Sequence, residues 1–350
     1  MKALGMLFIV YGHTSGHAMF NPTLPVNFKQ IGVVFFVIAT GYLLANEHRS
    51  WQRVFYNRLF DLFLFGISFT VLLSIVLLFL IGDPNESNYL PFMLGVNVFF
   101  NSFPANPSLW YIGTYIHLLI VWALLLRHIQ IKPWMFLVVL PAEIMVRALL
   151  MQEAGDMIAY QAITNWMSVL LLGMYLGQQS EGDRLNASKM SLIGHVAVLI
   201  IAVATWNLIT RTLGVSSSNP FGRLQWGDNT VALISSATSI SLVYFGWGIL
   251  GFNILRRLPA GRIIQFFGKN SMLIFIIHMP LIYASFGWLY KLPGVDSPGL
   301  LRLAVNLLVF YVGVGLLSEL IRRLIKPVAI RNAVEIKLLN FQARRKEMSK

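Results

Sequence analysis

Long apolar runs alternate with short polar segments along almost the whole chain. A helix that crosses a bilayer core needs roughly 20 mainly apolar residues, and this pattern predicts about ten such helices. The predicted spans are residues 2–20, 30–46, 59–82, 109–126, 134–151, 163–178, 190–210, 230–250, 270–290 and 299–321. Segments 83–108 and 211–229 are rich in turn-forming residues and are expected to be exposed loops. The fold class expected is therefore an all-α, polytopic integral membrane protein.

Composition agrees with that pattern. Hydrophobic residues make up 57% of the chain, charged residues 12%, and the mean hydropathy is +0.68, whereas soluble domains carry about 25% charged residues. Since no polar block is large enough to fold separately, residues 1–321 are expected to form one transmembrane domain. The chain has no cysteine, which excludes disulfides, thiol nucleophiles and thiolate metal sites.

The distribution of positive charge predicts the orientation. When the connections between predicted helices are numbered alternately, 21 of the 27 lysines and arginines fall in one set, and six fall in the other set together with its flanking helix ends. Because cytoplasmic connections are enriched in Lys and Arg, both termini are expected in the cytoplasm. The net charge of +13 is spread over short loops and a tail, so no nucleic-acid partner is expected. The tail, residues 322–350, alternates basic and apolar positions and is expected to lie on anionic membrane lipids.

Several histidines fall at membrane depth, where ionisable groups often mark function. His13 and His17 lie one turn apart on one helix face. His278 precedes Pro280 in mid-helix and is expected to share a cavity with them. A zinc site is disfavoured because the spacing lacks the Glu of HExxH and no third ligand is evident. We therefore predict no metal.

The same histidines suggest a chemistry. Histidine has an unperturbed pKa near 6.5 and can take and return a proton near neutrality, while no GxSxG elbow or P-loop occurs in the chain. Direct, base-assisted transfer to a hydroxyl is thus the simplest reaction to expect. Glu143 and Arg147 are four residues apart and can pair, either as a structural pair or as the wall of a polar pocket.

Several short segments of the chain form motifs. Lys2 is followed by ten residues and then by His13. This spacing resembles the first-helix signature of the membrane-bound acyltransferase-3 family of bacterial O-acetyltransferases, with Lys in place of the usual Arg. The other similar segments are Val34–Leu44, which resembles FF-x-x-SG-[FY]-L, the cluster of Arg53 and Arg58, the segment Ser108–Ile112, and Phe267–His278, which resembles LG-x-x-S-x-x-[IL]-[YF]-x-x-H. The last segment leads into the predicted ninth helix, residues 270–290, where we expect Asn270 and Ser271 either to cap the helix or to orient the site.

The resemblance implies transfer of an acyl group, often acetyl, from cytoplasmic acyl-CoA to a glycan hydroxyl outside a bacterial inner membrane. It implies His13 as the general base, with His17 and His278 as further catalytic candidates. Basic groups at helix ends bind phosphates, so the expected CoA ligands are Lys2, Arg53 and Arg58. The residues expected to bind substrate are Trp110, Glu143 and Arg147.

Two other functions fit the same pattern. A transporter or permease for a lipid-linked sugar or a small solute would also place histidines along a membrane path. An N-acyltransferase or small-molecule acylase of the same family would differ only in its acceptor. The sequence does not separate acceptors, because acceptor contacts are expected in loops that carry no motif.

Overall fold

A computed structural model describes residues 1–14, 28–81, 110–182, 230–256, 259–297 and 299–348, with isolated positions 95, 96, 99, 197 and 200. Every regular element in these ranges is helical, and they contain no strand, which confirms the all-α prediction. The helices are α1 Lys2–Thr14, α2 Phe28–Ala45, α3 Trp51–Ile81, α4 Trp110–Val121, α5 Met135–Glu153, α6 Asp156–Gln161, α7 Met167–Gly182, α8 Thr230–Leu255, α9 Arg262–Leu289, α10 Leu300–Asn306, α11 Val314–Ile325 and α12 Pro327–Met348.

Within the described ranges, four helical stretches are long and apolar enough to cross a membrane. They are Met135–Glu153, Leu233–Leu255, Arg262–Ile282 and Leu300–Lys337. Their outward faces carry large apolar side chains such as Leu137 and Leu308, as expected where lipid replaces water. These features support a membrane protein, while the count of ten helices, the orientation and the surface position of the tail stay predictions. The predicted span 190–210 lies outside the described residues, apart from positions 197 and 200.

Two helices begin earlier than their apolar runs predicted. α3 begins at Trp51 rather than at 59, since the Ser50 hydroxyl accepts the Arg53 backbone N–H at 3.3 Å and caps a polar first turn. α9 begins at Arg262, directly after the turn at Pro259–Gly261. Asn270 and Ser271 consequently lie inside α9, so the expectation that they cap it was wrong.

The centre of the molecule is built from α1, α2, α7 and α9, where glycines allow close approach. A Cβ on Gly41 of α2 would lie 2.3 Å from the Leu170 carbonyl oxygen of α7, and one on Gly173 would lie 2.4 Å from the Ile38 oxygen. α1 packs on α2 in the same way, through Gly5 and Gly32. Small residues let membrane helices pack backbone to backbone, and this contact fixes α1 beside α9.

The C-terminal helices turn at a single residue. Lys326 has a φ of 50°, in the left-handed region, and ends α11. Pro327 follows and cannot donate a backbone hydrogen bond to continue that helix. The chain therefore changes direction, and α12 lies against α3.

Candidate active site

A cavity of about 220 Å³ lies among α1, α2, α3, α4 and α9. Two cations reach it: Lys2 from the first residue of α1 and Arg58 from the second turn of α3. The other lining residues are Phe36, Thr40, Asn57, Asp61, Leu62, Tyr111, Ile112, Tyr115, Ser271, Met272 and Phe275. The cavity thus joins a positive end to a wall that is mainly aromatic and apolar.

Arg58 retains unused hydrogen-bonding capacity at this cavity. Its Nη1 lies 3.4 Å from the Tyr115 hydroxyl, to which it donates, and its Nε is buried with no hydrogen-bond partner among the described residues. Arg58 is half-buried, and a partly paired guanidinium gains charge-assisted hydrogen bonds when an anionic ligand binds. Lys2 and Arg58 therefore form a site suited to an anion such as a phosphate.

The structure brings His13 and His278 together. Their ring centroids are 5.3 Å apart and the rings are tilted by 51°, because α1 packs along α9. His13 is eleven residues from Lys2, which is about three helical turns and about 16 Å along the same face of α1. The first helix therefore connects the positive end of the cavity with the histidine pair.

Local geometry sets the tautomer of His278. Its Nδ1 lies 3.1 Å from the Ile274 carbonyl oxygen and 2.8 Å from the Phe275 oxygen. Both carbonyls accept, so Nδ1 carries the proton. Nε2 is buried without a hydrogen-bond partner in the described part of the chain. The neutral ring thus keeps a lone pair on the side away from its own helix backbone.

Three aromatic rings separate the cavity from the histidines. Phe36, Tyr111 and Phe275 all line the cavity, and their centroids lie 6.0 to 6.4 Å from one another. Phe275 also lies 6.0 Å from the His278 ring. Since Ser271, Phe275 and His278 follow one another at helical spacing, a single face of α9 runs from the cavity through this aromatic layer to the histidine pair.

Glu143 and Arg147 lie elsewhere, in a closed polar network. Arg147 is fully buried and donates to the Glu143 carboxylate at 2.6 Å. Its remaining four N–H groups donate to the side chain and carbonyl of Asn165, the Ala237 carbonyl and the Ser241 hydroxyl. The Ser241 hydroxyl and the Ser168 backbone N–H donate to Glu143. All five guanidinium N–H groups are used, so the geometry favours the structural interpretation of this pair.

The other predicted site residues are placed as follows. Arg53 is exposed on α3 and forms an ion pair with Glu335 of α12, away from the described cavity lining. Trp110 packs its ring 4.7 Å from that of Tyr160. His17 lies outside the described residues. Among the predicted site residues, Lys2 and Arg58 therefore line one cavity, and the rings of His13 and His278 are in contact.

Several residues of this site were not among the predicted site residues. Asp61, Tyr111, Tyr115 and Phe275 line the cavity. Asp61 is an unexpected acid in an apolar run, whereas the three aromatic residues are ordinary members of such runs. Of these residues, Phe275 was the most predictable from sequence, because it lies about one turn before His278 within the motif at residues 267–278. For Tyr111 and Tyr115, only the way that α4 packs against α3 and α9 reveals a role.

Comparison with known proteins supplies the family. The model of an acyltransferase domain, that of the acyltransferase-3 family, matches residues 1–320 and so covers all the residues that line the cavity and both histidines of the pair. No curated protein and no solved structure matches the chain. Because the matched region is nearly the whole chain and the helices are apolar, the chain belongs to the acyltransferase-3 family and is a membrane acyltransferase.

Proposed function

We propose that this protein transfers an acyl group from acyl-CoA to a hydroxyl of an exopolysaccharide, an envelope glycan or a lipid-linked precursor. The acyl group proposed is acetyl. The acyl-CoA comes from the cytoplasm of a bacterium, and the enzyme spans the inner membrane. The ring contact between His13 and His278, three helical turns from Lys2, carries this proposal. The histidine pair supplies a proton acceptor at one end of the site, and Lys2 with Arg58 supplies an anion site at the other end.

Donor binding uses the basic end of the cavity. The phosphates of CoA meet Lys2 and Arg58, whose charges and free hydrogen-bonding capacity suit phosphate oxygens. The flexible arm of CoA then follows the face of α9 toward the histidines. In the orientation that the loop charges predict, this basic end faces the cytoplasm and the histidines lie nearer the outer side.

The chemical step is a direct transfer. His13 takes the proton of the acceptor hydroxyl while the hydroxyl oxygen attacks the thioester carbonyl. The new C–O bond forms, the C–S bond breaks, and the proton returns from the imidazole to the departing CoA thiolate. Neutral His278 packs beside His13 and holds its ring in place. General base catalysis of this kind contributes about 10²- to 10⁴-fold.

The test uses purified protein in vesicles with labelled acetyl-CoA and glycan from the parent strain. Wild-type protein is expected to label an O-acyl group on the glycan. His13→Ala is expected to lose about 10²- to 10⁴-fold of that rate while binding CoA normally. His128→Ala, an exposed histidine outside the site, serves as the matched control.

Two results would contradict the proposal. One is a His13→Ala protein that still transfers at the wild-type rate. The other is a wild-type protein that binds no acyl-CoA but carries a solute across the vesicle, which would support the transporter instead. Analysis of glycans from a deletion strain identifies the acceptor, because the O-acyl group that disappears marks the position modified.

A further inference from the structure

The C-terminal helix α12 contacts the wall of the basic cavity from outside the region that the family match covers. The match ends at residue 320, and α12 begins at Pro327. The Tyr56 hydroxyl of α3 donates to the Arg331 carbonyl at 2.7 Å, and Nη1 of Arg331 donates to the Asn57 carbonyl at 3.2 Å. α12 is therefore docked at the turns of α3 that reach the cavity.

Arg331 also pairs with an acidic residue of the cavity. Asp61 lines the cavity, and its Oδ2 lies 3.7 Å from Nη1 of Arg331. The other oxygen, Oδ1, is buried and accepts no hydrogen bond from any residue that the structure describes. The side chains of Arg331 and Asp61 are 19% and 25% exposed, so water screens this pair only in part.

The charge of Asp61 matters because of its neighbours. Lys2 and Arg58 line the same cavity and attract an anion. An uncompensated carboxylate among them would cancel one of those charges and repel a phosphate. Arg331 offsets the carboxylate from behind the α3 wall, and the cavity keeps a net positive charge.

We propose that Arg331 is a positioning residue that masks Asp61 from the anionic donor and so raises donor affinity. This inference rests on the proposed function, namely that the cavity binds the phosphates of acyl-CoA. It assigns a role in donor binding to a segment that follows the family domain. It also predicts that the effect of Arg331 depends on Asp61.

The test measures the Kd of CoA for the full-length protein in nanodiscs. Arg331→Gln is expected to raise Kd about two- to fivefold, within the range for a partly exposed charge interaction. Asp61→Asn in the Arg331→Gln protein is expected to restore binding to near the wild-type value. Lys337→Gln, which removes one charge from an exposed position of the same helix, is expected to leave Kd unchanged.

A further variant separates charge masking from simple docking of α12. Glu335→Gln breaks the other ion pair between α3 and α12, that of Arg53 with Glu335. Masking predicts that this variant does not raise Kd, because it removes a negative charge. If docking alone matters, Glu335→Gln weakens binding as Arg331→Gln does.

The binding experiment distinguishes failure of the proposed function from failure of the masking role. A wild-type protein that binds no CoA would overturn the proposed function, and this inference with it. If the wild-type protein binds CoA but Asp61→Asn does not restore binding in the Arg331→Gln variant, the masking role is wrong. The proposed function is then unaffected. Thermal unfolding of each variant shows which proteins are folded, and only folded protein enters the comparison.

Discussion

Two groups of charged residues, one buried and one half-buried, differ in how completely they are paired. Around Arg147, all five guanidinium N–H groups and both Glu143 oxygens have partners from α5, the turn before α7, α7 and α8. Around Arg58, one nitrogen has no hydrogen-bond partner in the described structure, and Lys2 reaches the same open cavity. The first group binds helices to one another, and the second has capacity left for a ligand.

This difference shows how ionisable residues within a membrane protein can be assigned. Burial and charge alone mark both groups as functional candidates. Counting hydrogen bonds separates them, because a buried charge must be paired either within the protein or by a ligand. We therefore expect changes at Arg147 to affect folding and changes at Lys2 or Arg58 to affect donor binding.

The largest expected effect is at Arg147. Arg147→Met leaves the Glu143 carboxylate buried without its cation, a loss of about 3–5 kcal/mol. Thermal unfolding in detergent should show a strongly lowered Tm or no folded protein. Glu143→Leu combined with Arg147→Met removes both charges and should recover part of that loss. A folded Arg147→Met protein with normal Tm and no transfer activity would instead place Arg147 in the substrate site.

A smaller effect is expected at the basic end of the cavity. Lys2→Gln and Arg58→Gln each remove a charged hydrogen-bond donor worth about 1.5–3 kcal/mol, which is roughly 10- to 100-fold in the Kd of CoA. Equilibrium binding checks this, with Tm close to that of the wild type. Lys132→Gln, at an exposed position on the segment before α5, is the matched control. Equal loss in the control and the cavity variants would indicate a general charge effect.

The smallest effect concerns the size of the acyl group. Phe275 stands between the cavity and His278, so Phe275→Ala should open space for a longer chain. The ratio of propionyl to acetyl transfer should rise about tenfold, since one methylene in an apolar pocket is worth about 1–3 kcal/mol. The ratio does not depend on the amount of folded protein. Phe136→Ala, an aromatic that packs on Tyr175 and Phe245 instead, should leave it unchanged.

Short-range spacing predicted a contact between candidate residues of one helix. The four-residue spacing of Glu143 and Arg147 predicted their pairing, which the structure shows at 2.6 Å. The eleven-residue separation of Lys2 and His13 corresponds to about three turns of α1, so both lie on one face of that helix. Such contacts depend on helical periodicity, which the sequence contains.

Contacts between distant helices were not predictable in the same way. Asn165 and Ser241 complete the Arg147 network from segments far along the chain, and their polar side chains look unremarkable in sequence. Arg53 belonged to a basic cluster at the start of α3, yet it pairs with Glu335 because α12 turns back at Lys326. Pairings of this kind depend on tertiary packing, which spacing does not encode.

The most direct test of the account is a cryo-electron microscopy structure with a non-hydrolysable acetyl-CoA analogue bound. We predict phosphate density against Lys2 and Arg58, the arm of CoA passing Phe275, and the acetyl carbonyl beside His13. The Arg147 network should be unchanged in that structure. An analogue bound elsewhere, with its acyl group distant from His13 and His278, would contradict the account.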